Sequence, residues 1–392
     1  VRGAPRAMQA RVGQGAFECA AGGGRARACS PETGAGPGVF CVASAPSRRR
    51  GRNTGRAVGP RGAGAGHHRG MSNLDLKPAA TECGGREDVS AAPVRELLTG
   101  RTVQLGESTQ VRRLLPSLGR RMVGAWCFVD HYGPDDIARE PGMQVPPHPH
   151  MGLQTVSWLH EGEVLHRDSL GSKQTVRPRE LGLMTSGRAI AHSEESPRDH
   201  ARYLHGAQLW VALPDSRRDI APSFEHHAEL PEVTGAGGLR ATVILGELDT
   251  AVSPGTIHSP LVGADLSLAE GTAARLPLQP DFEYAALSMS GSAVVDGVPL
   301  TPGSLLYLGA GRRDLPLLAD TASELMLLGG EPFAEKIVMW WNFIGRSADD
   351  IARAREDWNE GDRFGEVHGY DGARLLAPEL PPTPLKPRGR ER

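Results

Sequence analysis

Turn signals recur along the chain at short intervals, and they limit what it can fold into. Glycine occurs 50 times and proline 31 times in 392 residues, while aromatics make up only 5%. Such a chain builds short strands joined by tight turns, not long helices. In the first half, residues 122–129 read as a buried strand and residues 148–159 as another, carrying Thr155, Val156, Ser157 and Trp158. Glu161-Gly162 makes a turn, residues 164–169 return, and Leu170-Gly171-Ser172 turns again. Short strands follow at 175–177 and 181–185 around Pro178, then at 189–194 and 208–213.

The second half repeats the theme. Residues 243–248, 264–268, 282–289, 293–298 and 305–308 read as strands, with turns at Gly291, Asp296-Gly297 and Pro302-Gly303. The stretch PRELGLMTSGR from Pro178 parallels PGSLLYLGAGR from Pro302. Together these features predict an all-β chain with two related barrels. One helix is expected near the C-terminus. Ser347 is its N-cap, Asp350 stands three residues on, Ile351, Ala354 and Trp358 share a face, and Gly361 ends it.

The net charge of −2 hides an asymmetry. Residues 1–70 hold 12 arginines, no lysine and only Glu18 and Glu32 as acids, so the rest of the chain is acidic. An acidic body repels phosphate backbones, and direct nucleic-acid binding is not expected. The leader lacks a periodic apolar pattern and reads as disordered, or as a mis-called start with the native protein beginning near Met71. The expected organisation is the leader 1–70, an extension 71–96, a metal-binding barrel 97–229, a metal-free barrel 230–345, and a C-terminal helix and tail 346–392. No apolar run reaches the ~18 residues of a membrane span. The five cysteines (Cys19, Cys29, Cys41, Cys83 and Cys127) include no C-x-x-C pair, which argues against disulfides and zinc ribbons and makes the cytoplasm the default location. Cys127 lies in an apolar run and reads as a small core residue.

The chemistry sits in two dyads, His148-Pro149-His150 and His192-Ser193-Glu194. Side chains two apart on a strand share a face, so each dyad presents its outer members together. The gap of 42 positions from His150 to His192 leaves room for hairpins that bring the two strands side by side. Three imidazoles and one carboxylate suit a divalent first-row metal, particularly iron, with positions left open for substrate or dioxygen.

At these residues the chain resembles the pirin family of bicupins. The resemblance runs through VDHYGP (129–134), PPHPHMGLQTVSWLHEGEVLHRDSLGS (146–172), LMTSGRAIAHSEE (183–195), QLWVALP (208–214) and GGEPFAEKIVMWWNFIGRSADDIARAREDW (329–358). It implies two jelly-roll-type cupin barrels packed together. It also implies one mononuclear Fe(II), or another divalent metal, held by His148, His150, His192 and Glu194 in the first barrel. The activity implied is that of a quercetin 2,3-dioxygenase, acting on a flavonol or related phenolic with dioxygen, with Glu194 as base. The alternative implied is a redox-sensitive regulator that binds a transcription factor or metabolic enzyme.

Gln154 stands where many relatives carry glutamate. It lies four residues beyond His150, on the same face if the strand is regular, and is a pocket candidate together with His166. Leu183 replaces an aromatic common in relatives. Aligning the two halves puts Pro316 and Leu318 opposite His192 and Glu194, and Pro277 and Gln279 opposite His148 and His150, so no second metal site is expected. His131 reads as a loop-holding hydrogen-bonder, His226-His227 as a diverging solvated pair, and Trp340-Trp341 as core. Arg217-Arg218 and Arg312-Arg313 read as solvated faces.

Overall fold

The computed structural model describes residues 81–83, 94–105 and 109–388; the expectations for residues 1–70 and most of 71–96 lie outside them. Two barrels follow one another along the chain. The first faces a seven-stranded sheet against a four-stranded one. The larger sheet runs Ser223–His227, Leu181–Thr185, Leu153–Glu161, Tyr203–Ala212, Trp126–Asp136, Thr109–Leu115, Arg101–Leu105. The smaller runs Gln144–His150, Ile190–Glu195, Val164–Asp168, Lys173–Val176. The second barrel repeats the plan with an eight-stranded and a four-stranded sheet. All neighbouring pairs in these sheets are antiparallel, as hairpin-rich chains require. Among the described residues, no helix is long and apolar enough to cross a membrane.

The ends of the chain exchange places. Glu96–Thr99, where the expected extension meets the expected start of the first barrel at residue 97, pairs with Ser304–Gly309 in the second. Ile337–Trp340 and Phe343–Gly345 turn back onto the first barrel, where the Ile344 N–H donates to the Met151 carbonyl at 2.9 Å. The helix Ala348–Glu360 follows them, with the capping box between Ser347 and Asp350 in place and Ile351, Ala354 and Trp358 buried. Trp340 and Trp341 are buried in the same cluster as Met151 and Ala191, as expected for core residues.

A shared core joins the barrels. Trp126, Phe128, Val156 and Trp158 pack with Leu245, Leu287, Met326 and Leu328 of the second barrel. Each fully buried large side chain contributes roughly 1.5–3 kcal/mol. The Trp126 indole N–H is shared between the carbonyls of Val262 and Gly329, both at 3.1 Å. Cys127 is buried here, and burial drives its thiol pKa upward, so it is an inert core residue.

Three sequence readings need correction. Residues 148–159 are not one strand. The chain breaks at Met151-Gly152, where Gly152 has φ +74° and a Cβ would lie 2.2 Å from the Ile344 carbonyl oxygen. Residues 122–125 precede their strand, which runs on instead to Asp136. Arg312 is not a solvated residue. It is buried, donates to the carbonyls of Leu308 and Val94, and pairs with Asp296 at 2.6 Å.

His131 makes its hydrogen bond to another strand, Nε2 to Nε2 of His205 at 3.1 Å. Burial, reinforced by neighbouring histidine charge, pushes His131 down to about 3 and His205 down to about 4. Both are therefore neutral in the fold, while their unfolded counterparts protonate near 6.5. Stability from this pair is complete above about pH 6.5 and is lost as pH falls toward those values, by about 1.4 kcal/mol per pH unit per histidine. The urea midpoint of the metal-free protein should fall between pH 7 and 5. It should fall less steeply in His205→Gln; equal slopes would show that the pair does not cause the loss.

Candidate metal centre

Three of the four expected ligands converge inside the first barrel. His148, His150 and His192 each offer a ring nitrogen, and these nitrogens lie within 4.8 Å of one another. All three rings are 0% exposed. Their strands pair directly, with His192 opposite His148. The Nε2 atoms of His148 and His150 stand 3.1 Å apart. That spacing suits adjacent donors to one cation at bonds of about 2.1 Å.

Hydrogen bonds fix which nitrogen His148 and His192 present. His148 Nδ1 lies 2.8 Å from the Pro146 carbonyl, an acceptor only, so Nδ1 carries the hydrogen and Nε2 the lone pair. His166 Nε2 lies 3.1 Å from Asp168 Oδ2 and must donate to it. Its Nδ1 is then an acceptor, 3.4 Å from His192 Nδ1. His192 donates there and keeps its lone pair on Nε2, which is buried without a hydrogen-bond partner. Carboxylate–histidine relays of this kind orient metal ligands from behind.

The electrostatics agree. Burial pushes His148 down to about 4 and holds His150 and His192 well below 6.5, with histidine neighbours adding to the effect in both. Neutral imidazoles are the form that binds a metal. His166 is also lowered by burial, against the pull of Asp168. Burial alone would raise Asp168, but bonds from His166 and Ser172 outweigh it and hold the carboxylate below its usual value.

Glu194 does not join the three rings within the same distance. Pro146 and Pro147 lack the N–H groups that a regular ladder needs. The register slips there, so Glu194 pairs with Val145 while His192 pairs with His148. The Glu194 Oε1 atom accepts from the Ser157 hydroxyl at 3.0 Å, and its Oε2 is buried without a partner. Burial raises this carboxyl to about 7, against hydrogen bonds from Ser157 and Gln208 that favour the charged form.

The two pocket candidates separate. His166 stacks on Phe224 at 4.0 Å and lies directly behind His192. Gln154 lies on a different sheet from His150, because the strand breaks between them. Its amide donates to Thr185 Oγ1 at 2.9 Å and to the Thr256 carbonyl of the second half at 3.0 Å. Three residues not singled out for the site matter more. Ser157 donates to Glu194, and Gln208, 3.0 Å from Ser157 Oγ, favours the charged carboxylate. The Tyr132 hydroxyl is buried without a partner, its pKa raised first by burial and then by the Glu194 charge.

Other polar clusters have their own partners. His226 meets Glu180 at 2.8 Å and His227 meets Glu225 at 3.2 Å, so both are half-buried and paired, not solvated. His160, Asp265 and Glu324 also gather between the halves, but the Arg179 guanidinium already pairs with both carboxylates. In the second barrel Leu315 and Leu317 fill the interior, while Leu318 is 50% exposed. The alignment that placed Leu318 opposite a buried ligand is thus one residue out of register. Neither residue at the corrected positions is a metal donor.

Two cupin barrels in one chain, with a histidine cluster in the first, define a bicupin. The sequence matches the Pirin family over residues 108–211 and the Pirin C-terminal cupin domain over residues 263–365. The chain belongs to the pirin family. It is 47% identical to a Pseudomonas aeruginosa protein named "Putative quercetin 2,3-dioxygenase PA1205", over 72% of this chain and 90% of that protein. A pirin-like protein of Caulobacter vibrioides is 41% identical over 64% of this chain and 88% of its own length. The crystal structure of a quercetin 2,3-dioxygenase from Acinetobacter baumannii superposes with a TM-score of 0.71 at 44% identity, covering 74% of this chain and 98% of that one.

Proposed function

We propose that this protein is a metal-dependent dioxygenase that opens the ring of a flavonol or related phenolic. Fe(II) is the metal best suited to the donor set, held by His148, His150 and His192, with the Glu194 carboxylate as the fourth ligand or as base. The observation that carries the reading is the convergence of three buried imidazoles, two of them, His148 and His192, held by hydrogen bonds that leave the lone pair on Nε2. Iron would supply Lewis-acid polarisation and a template for substrate and dioxygen.

The chain's own residues supply the rest. Glu194 Oε2 has no hydrogen-bond partner and is the atom suited to take the substrate hydroxyl proton. A carboxyl raised to about 7 is a better base near neutral pH than an ordinary one. The Tyr132 hydroxyl offers a second polar contact in the same buried region. Phe224, stacked on His166, gives an apolar wall for an aromatic substrate.

The test is aerobic turnover of quercetin by anaerobically iron-loaded protein, following flavonol loss and carbon monoxide release. One carbon monoxide per flavonol consumed is expected. Full iron occupancy with neither product nor flavonol loss would sink the dioxygenase reading and favour the iron-sensing regulator.

A further inference from the structure

The histidine centre is closed to water. His148, His150 and His192 are 0% exposed and Glu194 only 2%, so no water-sized opening reaches the rings. A substrate as large as a flavonol enters only if part of the wall moves. The roof of the centre is one row of residues across the larger sheet of the first barrel. Trp210 stands opposite Thr155, Thr155 opposite Met184, and Met184 opposite Phe224. Cross-strand neighbours share a face, and the two ends of the row show which face it is. Trp210 meets the His150 ring edge-on at 5.2 Å, and Phe224 lies parallel to the His166 ring at 4.0 Å and 9°.

The four members of the row are not equally fixed. Trp210, Thr155 and Met184 are at most 3% exposed and lie on strands paired on both sides. Phe224 is half-buried and belongs to Ser223–His227, which among the described residues pairs only with Leu181–Thr185 and ends the sheet. None of the five residues of that strand is fully buried. Besides the ladder, two side-chain contacts hold it. Glu225 accepts from the Thr256 N–H at 3.2 Å, and His226 meets Glu180 at 2.8 Å. A one-sided ladder with few buried contacts marks a segment that opens locally at low cost.

We propose that Ser223–His227 is the gate of the metal centre and Phe224 its plug, admitting a flat aromatic molecule that takes over the stack on His166. This rests on the metal-site and dioxygenase readings above, and it adds the point of entry and the residue that selects what enters. A planar phenolic recovers the stacking that opening gives up, whereas a bulky non-planar molecule does not. A gate also has a kinetic signature. It speeds entry and exit alike and leaves affinity unchanged. A residue that only supports His166 from behind would change the affinity instead.

The experiment follows Co(II) in the full chain by its visible ligand-field bands. Loading of the metal-free protein and removal by dipicolinate, a flat aromatic chelator, give the two rates, and an equilibrium titration gives the affinity. Phe224→Ala should raise both rates about tenfold, the scale of one lost aromatic pair, with the affinity within about twofold of the parent. Phe224→Tyr, which keeps the ring, should match the parent. Glu225→Ala, which loosens the strand and leaves the plug, should raise both rates by a smaller factor. Unchanged rates in Phe224→Ala and Glu225→Ala overturn the gate. Faster removal with unchanged loading overturns it too, because that is the mark of a weakened site. Co(II) binding that survives His192→Ala would overturn the metal-site reading and the gate with it. The expected rates in a protein that consumes no quercetin would keep the gate and overturn the dioxygenase reading alone.

Discussion

His192→Ala should leave the protein folded but essentially without metal, its affinity lowered more than about hundredfold. A centre of three protein nitrogens cannot lose one and keep a fixed cation, because the remaining pair offers no enclosing geometry. His192 is the member that comes from the partner strand, whereas His148 and His150 sit two apart on one strand. Its loss removes the donor that closes the site. Pro316→Ala is a control in the second barrel, whose interior is apolar. Metal per chain after dialysis, measured by mass spectrometry, decides the matter. A content near zero in the first variant and unchanged in the second is expected. Equal loss in both would overturn the assignment of one site to the first barrel.

Local chemistry made part of this legible in the sequence. The helix Ala348–Glu360 is written in adjacent residues, with a cap, a carboxylate three on and an apolar face, so no distant contact was needed to find it. The dyad rule worked for His148 and His150 because strand alternation is also local. It left Glu194 unresolved because the bulge opposite Ser193 arises from Pro146-Pro147 on another strand. Gln154 was misplaced for a similar reason. Counting faces from His150 assumes an unbroken strand, and Gly152 breaks it to admit Ile344, a residue near the far end of the chain. Ser157 and Gln208 are ordinary strand residues until folding sets them opposite each other, 51 positions apart in sequence. The exchange of Glu96–Thr99 into the second barrel likewise depends on a pairing partner that no local signal marks.

Asp168→Asn tests whether the relay behind His192 sets the chemistry of the centre, and it should weaken metal binding by about 10–100-fold. The substitution preserves shape. Asp168 Oδ1 accepts the backbone N–H groups of Leu170 and Ser172, both at 2.9 Å. Those two donors pin the asparagine oxygen in the same place and turn its NH2 toward His166. His166 Nε2 must then accept, so its single hydrogen moves to Nδ1. That hydrogen faces His192 Nδ1, which must accept in turn and shift its own hydrogen to Nε2. The nitrogen meant for the metal then carries a proton, and each bound cation must first reverse the whole chain. The tautomers can be read from imidazole nitrogen shifts in the metal-free protein, and the affinity from Co(II) titration. A reversed His192 tautomer with weakened binding is the expected pair of results. An unchanged affinity with a reversed tautomer would show that the relay orients the ring without controlling what it binds.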